Sequence, residues 1–205
     1  MSASATMPGA VRSRARGGPG CQRPLARPGI LLDRDGTVIV DHGYVGSVER
    51  VELIPGAAEA IARFNQAGLP VAIVTNQAGV ARGLYKIDDV ERVHSHLSEK
   101  LAEHGAHIDL FLFCPYHPDG SVSAFARSSD DRKPRPGMGR AAAEALNLDL
   151  SASWMIGDRP EDMAFAEAIG SSPVHVGAGN PTGRGVPSFP SLAEAASFIL
   201  ERVAL

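Results

Sequence analysis

Cysteine is scarce in this sequence, where only Cys21 and Cys114 occur. A disulfide framework is therefore not expected, and a reducing, cytoplasmic setting is favoured. Long apolar runs are also missing, since none approaches the roughly 20 residues that a transmembrane helix needs. A strong excess of charge is missing too, because the formal net charge is only -3. These absences give no reason to expect a membrane or a nucleic acid as the partner.

The first 28 residues contain no acidic residue and differ from the remainder in composition. They carry five arginines with several glycines and prolines, and too few of them are apolar to form a core. We therefore expect residues 1–28 to be a disordered extension; an arginine-rich arm that binds nucleic acid is the alternative. Residues 29–205 have the length of one domain with a sizeable core and are short for two.

Short apolar runs alternate with longer amphipathic runs in the rest of the chain. The apolar runs predict strands over Ile30–Leu32, Val71–Thr75, Ile108–Phe113, Ser153–Ile156 and Val174–Val176. The amphipathic runs predict helices within residues 55–68, 88–105, 136–148, 160–170 and 191–205. This alternation is typical of βαβ units. The predicted fold class is α/β, with a Rossmann-like, mainly parallel sheet and helices on both faces.

Polar residues directly follow four of the predicted strands. Asp33 and Asp35 come after the first strand, residues 75–77 end or follow the second, residues 114–117 the third, and Asp158 the fourth. In a parallel α/β sheet, ligands bind beyond the carboxyl ends of the strands. We therefore expect these residues to share one site.

Three of these residues are carboxylates, which would repel one another if they met. Asp33, Asp35 and Asp158 cannot all stay ionised at close range without compensation. A hard divalent cation such as Mg²⁺ supplies it, with carboxylates, substrate phosphate and water as ligands. An aspartate can also act as a nucleophile in aspartyl-phosphate chemistry. Thr75 offers a hydroxyl and Lys133 a cation for phosphoryl oxygens, so the set predicts a phosphatase site.

Four segments carry a family resemblance. DRDGT, VTNQAG, RKPRPGM and GDRPED, in this order, resemble the four motifs of the haloacid dehalogenase-type phosphatases. DHGYV, TNQAGVARG and CPYHPDG narrow the resemblance to the D-glycero-D-manno-heptose-1,7-bisphosphate 7-phosphatases. The alternative is a related histidinol-phosphate phosphatase or another small phosphosugar phosphatase. The resemblance implies a minimal cap and a role in nucleotide-activated heptose synthesis for lipopolysaccharide or capsule. A phosphosugar-binding scaffold without activity is the non-enzymatic alternative, and we expect a monomer.

The resemblance also implies catalytic roles. Asp33 would be the nucleophile, and Asp35 would protonate the leaving alcohol and then activate water. Thr75 and Asn76 would hold the phosphoryl oxygens, while Lys133 would neutralise charge beside Asp33 and contact the substrate.

The implied cofactor is Mg²⁺, held by Asp33, the Asp35 backbone carbonyl and Asp158. Asp162 fits this metal shell and a helix cap equally well. The other residues implied for the substrate side are Asp41, His42, Gly43, Tyr44, Gln77, Arg82, Arg132 and Arg159. The last two arginines suit sugar hydroxyls or a second phosphate.

One part of the sequence departs from the family pattern. Many relatives bind a structural zinc in the loop before Lys133, through the pattern C-x-H…C-x-C. Here Cys114 is kept, but Tyr116 replaces the histidine, and Ser129 and Asp131 replace the paired cysteines. A closed zinc site needs four sulfur or nitrogen ligands, so we expect no zinc. The loop is then expected either to be held by hydrogen bonds from residues 129–131 or to be more mobile. We expect His94, His96, His104 and His107 to be solvated surface residues.

Overall fold

The computed structural model describes residues 25–179 and 185–203. Its sheet has six strands in the order β3-β2-β1-β4-β5-β6, and every pairing between neighbours is parallel. The strands are β1 (Ile30–Leu32), β2 (Val71–Asn76), β3 (Leu110–Cys114), β4 (Trp154–Gly157), β5 (Ser172–Val176) and β6 (Ser188–Phe189). The predicted parallel sheet is confirmed.

Six α-helices connect or flank the strands in the described residues. They are α1 (Ala57–Gln66), α2 (Ala78–Ala81), α3 (Ile87–Ala102), α4 (Gly137–Leu146), α5 (Pro160–Ile169) and α6 (Leu192–Val203). Two short 3₁₀ turns, Val48–Arg50 and Leu150–Ala152, complete the set. Five helices coincide with the predicted ones. α2 and β6 were not predicted, because at four and two residues they are too short to show a periodic pattern.

Apolar residues of β1 alternate between two cores because successive strand side chains point to opposite faces. Ile30 and Leu32 join the larger core, which also contains buried residues of α1, α3 and α6. Leu31 joins the second core, with buried residues of α4 and α5. Helices therefore cover both faces, as predicted.

β1 lies in the middle of the sheet, between β2 and β4. Leu32 lies beside Ile73 of β2 and beside Ile156 of β4. The segments that follow these three strands consequently emerge side by side at one edge of the sheet.

β3 begins at Leu110 rather than at the predicted Ile108, and the Asp109 carboxylate before it accepts a hydrogen bond from the Val71 backbone N–H at 2.8 Å.

The start of the described chain is attached to the domain. Arg27 pairs with Leu148, and its backbone N–H donates to the Asn147 carbonyl at 3.1 Å. Residues 1–24 lie outside the described residues, so a disordered extension there stays a prediction. Among the helices of the described residues, none has both the length and the apolar character required to span a bilayer.

Candidate active site

A cavity of about 310 Å³ opens where β1 and β2 end. The residues that were predicted for the site and that line this cavity are Asp33, Asp35, Asp41, Gly43, Tyr44, Thr75, Asn76, Gln77, Arg82, Arg132 and Arg159. Ala78, Tyr85 and Glu161 also line it, although they were not among the predicted site residues. His117, one of the strand-end residues expected at this site, lines it as well. His42 is not a lining residue, and its Nε2 lies 3.1 Å from Glu52 Oε2.

Lys133 is buried between two carboxylates. Its Nζ lies 2.9 Å from Asp33 Oδ1 and 2.6 Å from Asp162 Oδ1. The Lys133 N–H donates to Asn76 Oδ1 at 3.0 Å, and Asn76 Nδ2 donates back to the Lys133 carbonyl at 3.1 Å. Burial lowers the pKa of Lys133, but the charges of Asp162 and Asp33 outweigh it and leave the pKa raised. Lys133 is therefore a fixed cation beside Asp33.

Three carboxylates next to this lysine fit a divalent cation. Asp33, Asp158 and Asp162 each place one carboxylate oxygen within 4.8 Å of the other two. Burial, followed by the charges of Asp33 and Asp162, raises the pKa of Asp158 to about 7. Asp158 Oδ1 is buried and has no hydrogen-bond partner in the described part of the chain. An unpartnered carboxylate oxygen facing other carboxylates fits the all-oxygen coordination of Mg²⁺.

Asp162 differs from the other two carboxylates because both of its oxygens already accept hydrogen bonds. Oδ1 accepts from Lys133, and Oδ2 accepts from the Arg159 N–H at 3.1 Å. The second bond caps α5, which starts at Pro160. The helix-cap role considered for Asp162 is confirmed, while burial raises its pKa to about 6.

Gly36 allows Asp158 to approach the end of β1. Its φ is +85°, and a Cβ at this position would lie 2.3 Å from Asp158 Oδ2. Any other residue would therefore push the carboxylate away, besides occupying a backbone conformation that L side chains rarely adopt.

We expect Gly36→Ala to weaken Mg²⁺ binding by at least about tenfold, since one displaced ligand costs more than about 1.4 kcal/mol. Isothermal titration of Mg²⁺ measures this directly. Gly68→Ala is the matched control, because Gly68 also has a positive φ of +72° but a Cβ there would meet nothing within 4 Å. Equal Mg²⁺ affinity in Gly36→Ala and Gly68→Ala would contradict this role of Gly36.

Asp35 points its carboxylate into the cavity from the segment after β1. Burial raises the pKa of Asp35, and the Arg34 guanidinium beside it opposes that shift without cancelling it. Gln77 Nε2 donates to Asp35 Oδ2 at 2.9 Å and to Thr75 Oγ1 at the same distance. A carboxyl that holds its proton more readily than usual suits general acid catalysis.

The outer wall of the cavity is polar and carries an ion pair. Arg159 Nη2 lies 2.6 Å from Asp41 Oδ2, and Asp41 Oδ1 accepts a hydrogen bond from the Gly43 N–H at 2.8 Å. Tyr44 has a φ of +54° and is about half exposed, with the Arg82 guanidinium carbon 6.0 Å from its ring centroid. This wall offers charged and aromatic groups to a polar substrate.

The loop between β3 and α4 is held by the residues that replace the zinc ligands of the family pattern. Ser129 Oγ accepts a hydrogen bond from the Asp131 N–H at 3.1 Å, and the Asp130 carbonyl accepts one from Gly137 at 2.9 Å. The predicted hydrogen bonds are thus confirmed. Burial raises the pKa of the Cys114 thiol to about 11, whereas zinc binds the thiolate. The absence of zinc stays a prediction.

The prediction of a solvated His94 is wrong. The side chain is 5% exposed, and its ring stacks on Phe111 with centroids 4.7 Å apart. The sequence held a signal, because His94 lies four residues after Val90 and three before Leu97, on the apolar stripe of α3. Arg34, which is fully buried beside Asp35, was not predicted as part of the site either.

Comparison with known proteins decides the family. Residues 27–170 match the family of haloacid dehalogenase-like hydrolases. The chain belongs to this family. It is 43% identical over 156 residues to the D-glycero-beta-D-manno-heptose-1,7-bisphosphate 7-phosphatase of Yersinia pestis, and the match covers 75% of this chain and 82% of the relative. The predicted family resemblance is confirmed.

Solved structures of this hydrolase family share the fold. A protein from Mesorhizobium loti described as a HAD-like phosphatase has a TM-score of 0.80 at 34% identity, over 95% of this chain and 94% of its own. The D,D-heptose 1,7-bisphosphate phosphatase of B. bronchiseptica, complexed with magnesium and phosphate, has a TM-score of 0.76 at 32% identity. That match covers 85% of this chain and 99% of the other.

Proposed function

We propose that this hydrolase removes the 7-phosphate of D-glycero-D-manno-heptose 1,7-bisphosphate through an aspartyl-phosphate on Asp33. The observation that carries the proposal is the position of Asp33, which contacts Lys133 at 2.9 Å and has a carboxylate oxygen within 4.8 Å of one from Asp158. The extensive identity to a relative named for this reaction supports the choice of substrate. We further propose that the enzyme is a cytoplasmic monomer in nucleotide-activated heptose synthesis.

In the first step, an oxygen of Asp33 attacks phosphorus and the bond to the sugar oxygen breaks. Asp35 gives its proton to that oxygen, so the sugar leaves as an alcohol. In the second step, Asp35 takes a proton from water, whose oxygen attacks the phosphorus and releases phosphate from Asp33. Thr75 and Asn76, which line the cavity, would hold the phosphoryl oxygens, and Lys133 would balance the charge of Asp33.

Asp33, the Asp35 carbonyl and Asp158 would hold Mg²⁺ in this site. Asp162 is left to position Lys133, because its oxygens are already engaged. When bound, Mg²⁺ neutralises charge that develops on the transferred phosphoryl group.

The outer cavity favours a bisphosphate over histidinol phosphate. Arg82, Arg132 and Arg159 all line it, and guanidinium groups suit a second phosphate. The second candidate, histidinol phosphate, has no second phosphate for these guanidinium groups to bind.

A substrate comparison tests the choice. We expect Mg²⁺-dependent release of one phosphate from heptose 1,7-bisphosphate, with kcat/KM at least about tenfold above that for histidinol phosphate, from loss of one charged contact. Phosphorus NMR identifies which phosphate leaves. The reverse preference would overturn the proposed substrate and leave the phosphatase chemistry in place.

Stability should depend on pH through Asp158. Because its pKa is raised to about 7 in the fold, the metal-free protein holds this proton more tightly than the unfolded chain does. The associated stability is complete below about pH 4 and is lost as the pH rises through about 7. Mg²⁺ competes with the proton, so it should raise Tm little at about pH 5 and by several degrees at about pH 8. Thermal melts with and without Mg²⁺ measure this.

The Asp158→Asn variant is the control for that experiment. It cannot titrate at this position, so the Mg²⁺-induced shift in Tm should be small at both pH values. A Mg²⁺-induced shift in the unaltered protein that does not change with pH would contradict the role of Asp158.

A further inference from the structure

A buried arginine separates the two candidate catalytic aspartates. Arg34 is 0% exposed, although Asp33 and Asp35 on either side of it line the cavity. A guanidinium remains charged in proteins and can only donate hydrogen bonds. Burying a guanidinium costs free energy unless hydrogen-bond acceptors surround it. The acceptors around Arg34 therefore indicate its role.

The Asp35 carboxylate is the first of these partners. Arg34 Nε donates to Asp35 Oδ2 at 3.1 Å, and Arg34 Nη2 donates to Asp35 Oδ1 at 3.0 Å. Two such bonds from one guanidinium fix the plane of a carboxylate as well as its position. Oδ2 also accepts from Gln77, while Oδ1 accepts only from Arg34 among the described residues. Oδ1 is therefore the oxygen with room for a transferred proton.

Arg34 also orients the amide of Gln77. Its Nη2 donates to Gln77 Oε1 at 3.1 Å, and the Tyr85 hydroxyl donates to the same oxygen at 2.7 Å. The amide nitrogen must then face the other way, where it donates to Asp35 and Thr75. Arg34 thus holds the Asp35 carboxylate both directly and through the amide of Gln77.

His94 supports Arg34 from α3. Arg34 Nη1 lies 3.4 Å from His94 Nε2, and because arginine cannot accept, Nε2 is the acceptor and the ring proton is on Nδ1. Burial, with the charge of Arg34, holds the pKa of His94 well below its usual range. The ring stacks on Phe111. The Val45 carbonyl accepts a hydrogen bond from Arg34 Nη2 at 2.9 Å and is a further acceptor for the buried guanidinium.

We propose that Arg34 is a positioning residue that holds the Asp35 carboxyl in line with the leaving oxygen of the substrate and with the attacking water. The inference rests on the proposed function of Asp35. In the first step the Asp33–phosphorus bond forms, the bond from phosphorus to the alcohol oxygen breaks, and the proton passes from Asp35 to that oxygen. In the second step Asp35 takes a proton from water, the water oxygen bonds to phosphorus, and the Asp33–phosphorus bond breaks to release phosphate.

The test uses Arg34→Lys, which keeps the positive charge but loses the bidentate hydrogen bonds to Asp35. Two substrates are compared with Mg²⁺ by rapid mixing: heptose 1,7-bisphosphate, whose alcohol needs a proton to leave, and p-nitrophenyl phosphate, whose phenolate does not. On the heptose, we expect the first turnover to slow by at least about 100-fold, the lower range for general acid catalysis. On the aryl phosphate, the rate of the first turnover in Arg34→Lys should stay within about threefold of that in the unaltered protein. The steady rate that follows should be slow, because Asp35 no longer activates water efficiently, so nitrophenolate should appear as a burst.

A purely structural role for Arg34 would slow the first turnover equally on both substrates, and that result would overturn the inference. An unchanged rate on both would overturn it as well. Arg140→Lys is the matched control, because Arg140 is exposed and pairs with Asp130. If the unaltered protein hydrolyses neither substrate, the proposed function itself fails and the inference fails with it.

His94→Phe provides a second test that leaves Arg34 in place. The phenyl ring can stack on Phe111 but offers no acceptor to Arg34 Nη1. We expect the same burst on the aryl phosphate, with about a tenfold slower first turnover on the heptose, the usual effect of one lost bond to a charged group. Equal slowing on both substrates would again overturn the inference. Circular dichroism and thermal melting confirm that each variant is folded.

Discussion

Asp33→Asn is expected to lower phosphate release by about 10⁴-fold or more, the scale of losing a catalytic nucleophile. Asparagine keeps the size of the side chain but cannot attack phosphorus, while Lys133 and Asp158 remain in place. Inorganic phosphate measured over time with heptose 1,7-bisphosphate and Mg²⁺ gives the rate. Because the cavity itself is unchanged, the substrate should still bind to the variant.

Asp88→Asn is the matched control for this experiment, since Asp88 is exposed in the first turn of α3 and its loss should leave the rate unchanged. A rate in Asp33→Asn within about tenfold of the original would contradict the nucleophile assignment. It would also remove the basis for an aspartyl-phosphate in this protein.

Lys133→Met is expected to be the most destabilising of these changes. The lysine ammonium lies within 2.9 Å of Asp33 and 2.6 Å of Asp162, and all three side chains are buried. Removing the cation leaves two carboxylates uncompensated, so we expect the free energy of unfolding to fall by about 3–5 kcal/mol. Urea denaturation of the metal-free protein at neutral pH measures this. Activity should be lost in parallel, since nothing then balances the charge of Asp33.

Two further variants sharpen the interpretation. Lys100→Met near the end of α3 removes a partly exposed lysine and should cost less than about 1 kcal/mol. Adding Asp162→Asn to Lys133→Met removes one uncompensated charge and should recover part of the stability. A loss in Lys133→Met no larger than in Lys100→Met would show that the buried contacts of Lys133 do not stabilise the fold.

The strand-end residues of the site could be predicted because two rules coincide in them. The apolar runs before Asp33, Thr75 and Asp158 identify buried strands, and a parallel sheet aligns the ends of such strands. The order of the four motifs added Lys133, which lies in a loop that no periodicity predicts. Neighbouring β1, β2 and β4 then bring these groups together.

The buried residues that contact the candidate catalytic side chains, Arg34 and Asp162, could not be predicted in the same way. Arg34 is a charged residue between two others, and its full burial depends on acceptors from Gln77, Val45 and His94, which are distant in sequence. The lysine contact of Asp162 likewise depends on how the loop before α4 folds back on α5. Such positions follow from tertiary packing rather than from local pattern.

The aspartyl-phosphate on Asp33 can be tested most directly by chemical trapping. The protein is mixed with heptose 1,7-bisphosphate and Mg²⁺, quenched and reduced with borohydride, which converts an acyl phosphate of aspartate to homoserine. Peptide mass spectrometry then locates the reduced residue. We expect homoserine at position 33 and no reduction at Asp35 or Asp158. Homoserine at another aspartate, or a protein that turns over substrate without any reducible acyl phosphate, would contradict the proposed mechanism.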